Sequence, residues 1–183
     1  MLRIFRTDLH KYQSYSGKSG LIMLLTQQGL WAILVYRINN SIFRANIPNF
    51  LKKILLFIGV FFQKMTEIIT GISIPYSAQI GESFYIGHFG GVIINASSQI
   101  GNNCNISQGV TIGISGKGEK RGVPNIGNNV YIGANAVVAG NITVGDHVVI
   151  GANSLVTESV APNITVVGVP AIKVSDYTSE NYI

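Results

Sequence analysis

The sequence predicts a mainly β protein, a parallel β-helix solenoid of six-residue repeats, preceded by an α-helical segment. Three observations carry that prediction. First, an aliphatic residue returns every six positions at Ile74, Ile80 and Ile86. It returns again at Ile94, Ile100, Ile106 and Ile112, then at Ile126, Ile132, Val138, Val144, Ile150 and Val156. Second, Gly follows many of these residues, and four places on stands a small or β-branched residue, as at Ala78, Ser98, Cys104, Val110, Val130, Ala136, Ile142, Val148 and Ser154. Third, residues 1–70 lack this period and carry apolar stretches of helical length instead. Thirteen copies of a six-residue period fit neither an α-helix nor an alternating sheet. The pattern is that of a coil of three short strands whose inward residues stack from turn to turn.

Taken in order, residues 1–70 form an α-helical N-terminal segment, 71–174 the solenoid, and 175–183 a C-terminal tail. The first twenty residues lack the apolar core and small-residue cleavage site of a signal peptide, so a cytoplasmic protein is expected. Helices are predicted over roughly 20–43 and 48–69, with Asn39, Asn40 and Pro48 marking the link. Leu21–Tyr36 is interrupted by Thr26, Gln27 and Gln28, and Ile54–Phe62 is short, so neither reaches the ~18–20 apolar residues of a membrane span.

The net charge of +5 is unevenly placed. Residues 1–64 hold nine Lys and Arg against Asp8 alone, whereas residues 65–183 hold four basic residues and seven acids. Two readings of the basic segment follow. It caps the open end of the solenoid and helps the chain oligomerise, or it lies on anionic lipid through Lys52, Lys53, Leu55, Leu56, Phe57, Phe61 and Phe62. No nucleic-acid-binding motif is present, so nucleic acid is not an expected partner. The single Cys104 falls on an inward position and is expected in the core, where it forms no disulfide within the chain.

The period breaks twice. Eight residues separate Ile86 from Ile94, so two extra residues bulge beside His88, Phe89, Gly90 and Gly91. Fourteen separate Ile112 from Ile126, so a loop of about eight extra residues leaves the coil around 115–123. Solenoids carry insertions on the face they use, which directs the search for function to these two places.

The chain resembles the serine acetyltransferase branch of the hexapeptide acyltransferases. The resemblance rests on GISIPYSAQIGESFYIGH, GVTIGISGKG, VYIGANAVVAGNITVGDHVVIGANSLV and the closing VVGVPAIKV, and more weakly on LWAILVYRINNSIF in the helical segment. It implies a left-handed β-helix, a homotrimer, and acetyl-coenzyme A bound between neighbouring solenoids. The family's catalytic histidine falls on His88. A hydroxyl is almost wholly protonated at neutral pH, so a positioned imidazole that takes its proton during attack accelerates transfer by ~10²–10⁴. Coenzyme A contacts carried over position by position fall on Gly113, Ser115, Gly116, Lys117, Ala134 and Ala152, with Lys117, Lys120 and Arg121 placed to meet phosphates. His147 points outward by its register and is expected at the surface. His10 has no assigned role.

The sequence departs from the family at four positions. The aspartate that pairs with the catalytic histidine is Ser73, the acid before that histidine is Gly87, and the Arg-His pair that grips the substrate carboxylate is Gly122-Val123. A zwitterion needs paired charges to bind in a defined pose. The expected acceptor is therefore a sugar hydroxyl of a bacterial capsular or other surface polysaccharide or its precursor, as for the similar enzymes of capsule, exopolysaccharide and colanic-acid loci. Attack is expected to be direct, with His88 as base and without a covalent enzyme intermediate. L-Serine as acceptor, with a carboxylate clamp rebuilt from Lys120 or Arg121, is the first alternative, and a non-enzymatic trimeric scaffold the second. A zinc hydratase of the carbonic-anhydrase type needs three His ligands, and the solenoid holds only His88 and His147, so no metal is expected.

Overall fold

The computed structural model describes all residues, 1–183. Four helices come first: α1 (Leu2–Ser16), α2 (Gly20–Thr26), α3 (Gln28–Arg44) and α4 (Asn49–Thr70). The chain then winds through β1 (Ile72–Ser73), β2 (Gln79–Ile80) and β3 (Tyr85–Ile86), then β4 (Val92–Ile94), β5 (Gln99–Ile100) and β6 (Asn105–Ile106). The third turn holds β7 (Thr111–Gly113), β8 (Asn125–Ile126) and β9 (Tyr131–Ile132), and the fourth holds β10 (Val137–Ala139), β11 (Thr143–Val144) and β12 (Val149–Ile150). Strands β13 (Leu155–Val156), β14 (Thr165–Val167) and β15 (Ile172–Ser175) complete it.

Each strand up to β10 pairs in parallel with the third strand after it, and β12 pairs with β14, which builds three sheets: β1-β4-β7-β10-β13, β2-β5-β8-β11 and β3-β6-β9-β12-β14, with β15 added antiparallel to β14. This is the expected left-handed parallel β-helix. All thirteen periodic aliphatics are buried, and so are the nine small or β-branched residues four places after them. Cys104 is among these, and burial pushes its thiol up to about 11.

Corners between the second and third sheets are turned by Ser83, Asn103, Asn129, His147 and Asn163, all left-handed at φ 54 to 61°. Asn suits this because its short side chain tolerates the left-handed region. Asn102 and Asn128, expected to share that role, do another. Their Oδ1 atoms accept from the backbone N–H of the coil beneath, Glu82 to Asn102 at 3.0 Å and Asn102 to Asn128 at 2.9 Å.

The helices cap the first coil, whose strand edges have no coil below to pair with. Polar side chains take the place of the missing strands. The Tyr36 hydroxyl donates to Ala78 O (2.9 Å) and accepts from Ile80 N (3.1 Å). The Tyr12 hydroxyl does the same for Ile86 O (2.9 Å) and Ile86 N (3.1 Å). Arg37 donates to Ile80 O (2.7 Å) and Gly81 O (2.6 Å) while gripping Asp8, which itself accepts from Phe84 N at 2.8 Å. Asp8 is 0% and Arg37 4% exposed, so this ion pair lies inside the protein.

Three sequence expectations are corrected, two of them in this segment. The helix predicted over 20–43 is two helices bent by 95° at Gln27, whose backbone is extended. The bend lets α3 start hard against β3, where a side chain at Gly29 would lie 2.6 Å from Ile86 O. Asn39 and Asn40 are not in the link, which runs from Ala45 to Pro48. Asn39 is buried and donates to Gly59 O on α4 (2.9 Å), and Asn40 donates to Tyr76 O (2.7 Å). His147 is half-buried rather than on the surface, because the C-terminal segment folds back over it and Ser179 N donates to its carbonyl at 3.3 Å.

Candidate functional site

The corner between the third and first sheets carries the first repeat break. His88 opens a four-residue turn whose Gly90 and Gly91 are left-handed at φ 97° and 69°. The turn is clamped from both sides, since Gly90 N donates to Thr70 O and Gly109 N donates to Gly90 O, each at 2.9 Å. Gly71, the C-cap of α4, must be glycine here, because a Cβ would sit 3.0 Å from Gly90 Cα. The imidazole of His88 is exposed, and no side chain hydrogen-bonds it within the chain.

His88 lies on the rim of a cleft of about 410 Å³ between the solenoid and the helices. One wall is aromatic, with the Tyr12 and Tyr15 rings 4.5 and 4.7 Å from that of Tyr85. Burial raises the Tyr12 phenol far above its ordinary value, so it stays protonated and holds Ile86, two residues before His88. Another part of the wall is polar and neutral, with Ser16, Thr26, Gln27 and Gln28. Sequence reasoning missed this wall, because its residues come from helices some sixty to seventy positions earlier in the chain.

Ser73, at the position of the family's aspartate, does not stand alone. Its hydroxyl donates to Glu67 Oε1 at 2.9 Å, and the same carboxylate accepts from Gln63 (2.9 Å) and Lys64 (2.6 Å). Partial burial alone would raise the Glu67 pKa, but the three hydrogen bonds outweigh it and hold the carboxyl below its usual range. A carboxylate thus stands one bond behind Ser73, supplied by the last turns of α4.

The loop leaves the coil at the corner between the first and second sheets, between β7 and β8. Ser115 and Gly122 exchange backbone hydrogen bonds of 3.1 and 3.0 Å, which closes residues 116–121 into a hairpin-like excursion with a 3₁₀ turn at Gly118–Lys120. Gly116 is left-handed at φ 93° and packs against the Lys120 carbonyl with no room for a Cβ. Lys117, Lys120 and Arg121 are all exposed. At the loop base a cavity of about 310 Å³ is lined by Ser115, Gly116, Lys120, Gly140 and Asn141.

The structure separates the six expected cofactor residues into two groups. Ala134 and Ala152 stack one coil apart on the corner that carries His88, whereas Gly113, Ser115, Gly116 and Lys117 lie across the first sheet. One chain does not bring both groups into one pocket. The first group offers small side chains at a corner, and the second offers small residues with the exposed Lys117 cation.

Fold and repeat define a hexapeptide-repeat transferase. Residues 124–158 match the model of the bacterial transferase hexapeptide family, six repeats. The serine acetyltransferase of Staphylococcus aureus is 37% identical over 93% of this chain and 77% of its own length. That of Synechocystis is 40% identical over 85% of this chain. A solved serine acetyltransferase of Brucella abortus, in complex with coenzyme A, superposes with a TM-score of 0.83 at 28% identity, covering 96% of this chain and 68% of that one. The chain belongs to the serine acetyltransferase family. It spans about three-fifths of the length of the cyanobacterial relatives it matches.

These relatives overturn the expectation of a sugar acceptor from a surface polysaccharide. That expectation equated the loss of charge at positions 73, 87, 122 and 123 with the loss of charge from the site. Charged neighbours stand close in the chain to three of these positions: Glu67 accepts from Ser73, and Lys120 and Arg121 immediately precede Gly122-Val123.

Proposed function

We propose that this protein is an acetyl-coenzyme A-dependent O-acetyltransferase whose acceptor is L-serine. The observation that carries the reading is the match to serine acetyltransferases across nearly the whole chain, with His88 on an open corner beside a cleft. In the reaction, the serine hydroxyl attacks the thioester carbonyl while His88 takes its proton. The tetrahedral intermediate collapses, the carbon–sulfur bond breaks, and coenzyme A leaves as the thiol after accepting a proton from His88. The serine carboxylate is held by the loop cations Lys120 and Arg121, which replace the Arg-His pair absent at Gly122-Val123. Ala134, Ala152, Gly113, Ser115, Gly116 and Lys117 hold coenzyme A. Because one chain separates these groups, the working unit is a homotrimer in which the loop of one copy meets the His88 corner of the next.

The test is release of free coenzyme A from acetyl-coenzyme A with L-serine and with L-serine methyl ester. We expect turnover with serine and about 10²–10⁴-fold loss in His88→Ala. A double change of Lys120 and Arg121 to Ala raises KM for serine and leaves the ester unaffected. Equal use of serine and its ester by the wild type shows that no carboxylate clamp exists, and no turnover with either removes serine as acceptor.

A further inference from the structure

Helix α4 is turned the wrong way round for a helix that merely packs on its neighbours. Its inward face, at Lys52, Leu55, Leu56, Gly59, Gln63, Thr66, Glu67 and Thr70, is mixed and partly polar. Its outward face is almost wholly apolar: Phe50, Ile54, Phe57, Phe61 and Ile68 head a row in which Phe57 is 81%, Ile68 77% and Phe50 76% exposed. Over 22 residues this row runs for about 33 Å. Beside it lies a groove of about 400 Å³ between α3 and α4, lined by Leu34, Val35, Ile38, Leu55 and Phe62 with almost no polar surface. No single helix is long and apolar enough to cross a membrane.

Charge says what covers this face. Between Asp8 and Glu67 the chain contains no acidic residue, yet it holds Lys11, Lys18, Arg37, Arg44, Lys52, Lys53 and Lys64. The two flanking acids are already committed, Asp8 to Arg37 and Glu67 to Lys64 and Ser73. Lys53 and Lys64 are exposed among the outward apolar residues, and Arg44 is exposed just before the helix begins. A second copy of the same helix is a poor match. Antiparallel pairing centred on Ile58 and Gly59 sets Lys53 against Lys64, and parallel pairing sets each lysine against itself. Phosphate headgroups over acyl chains match both features at once, with aromatic and aliphatic side chains in the acyl boundary and lysine ammonium groups reaching up to the phosphates.

We propose that α4 docks the protein on an anionic lipid surface, lying in the interface with Phe50, Phe57, Phe61 and Ile68 inserted and Arg44 and Lys53 on the headgroups. The experiment is flotation of the full chain with vesicles of neutral phosphatidylcholine and with vesicles containing phosphatidylglycerol, alongside the oligomeric mass from sedimentation. We expect at least about tenfold stronger partitioning onto the anionic vesicles, weakened by salt. Phe57→Glu with Phe61→Glu abolishes it, and Lys53→Glu reduces it several-fold. Neither variant changes the sedimenting mass or the acetyl transfer rate, since these side chains face solvent. Equal binding to neutral vesicles overturns the role of charge. Absence of vesicle binding, or a fall in oligomeric mass in the double variant, overturns the proposal and assigns the face to another copy of the chain.

Discussion

The coils bury an almost wholly apolar interior, whereas the helical segment buries charged and polar side chains beside its apolar ones. In the coils every periodic aliphatic points inward, and polar residues such as Gln79, Gln99, Asn125 and Thr143 ladder along the outside. In α1 and α4 the pattern inverts. The buried face of α1 is Asp8, Lys11 and Tyr12, and the exposed face of α4 is phenylalanine and isoleucine. The difference shows that burial follows what the neighbouring surface demands. A coil offers its successor a complete set of backbone partners, so its interior needs only shape. The first coil offers a raw strand edge, so whatever covers it must bring donors and acceptors. Two tyrosines, an arginine, an aspartate and an asparagine do so, each bonding backbone groups that a preceding coil would otherwise have satisfied.

The largest effect that would test this contrast lies in the buried ion pair. Removing one partner leaves a buried, unpaired charge, so Asp8→Ala is expected to cost about 3–5 kcal/mol in urea unfolding. A substitution in the middle of the solenoid that keeps its shape, Ile132→Val, is expected to cost about 0.5–1.5 kcal/mol. If the two losses were equal, the cap would be held by packing like the coils, and the comparison would fail.

Tyr12→Phe sharpens the same contrast at intermediate size. It keeps the ring against Tyr85 but strips both partners from Ile86, leaving a buried N–H and a buried carbonyl unpaired. The expected stability loss is about 1–3 kcal/mol. Because Ile86 leads directly into Gly87 and His88, the turnover number should fall more than the affinity for acetyl-coenzyme A. An unchanged rate in a destabilised variant would separate the cap from the site.

The same difference explains what the sequence discloses. Inward positions repeat every six residues, so the solenoid, its core and both insertions are legible from Ile86–Ile94 and Ile112–Ile126 alone. The cap is legible as a helical segment, but its bonds are not, because Asp8, Tyr12, Tyr36 and Arg37 meet backbone groups about 40 to 76 residues later and leave no local period. The bend at Gln27 is hidden for a similar reason: Thr26, Gln27 and Gln28 mark an interruption of the apolar run, but the bend itself is set by the approach of Gly29 to β3. At the site, the position of His88 shows as a gap in the repeat. The sugar expectation counted Ser73 as a lost charge, because a position-by-position comparison does not register the α4 carboxylate that reaches Ser73 from six residues away.

The smallest effect concerns a lysine that the cap buries. Lys11 donates to Asn103 Oδ1 at 2.6 Å, and Asn103 in turn donates to Asn129 Oδ1 at 2.8 Å, so the cap is tied to the corner ladder of the solenoid. Burial lowers the Lys11 pKa to about 8 from 10.5. Between these values the unfolded chain holds a proton that the folded chain has released. Stability therefore rises with pH across that window, while below about 8 both states are protonated and the folded state carries a poorly hydrated cation. Lys11→Met removes the titration. The urea midpoint of the wild type, relative to this variant, should climb as pH goes from about 8 to about 10.5. A difference that stays flat would mean that water still reaches the ammonium group, and that the inverted face of α1 is solvated at its edge rather than sealed.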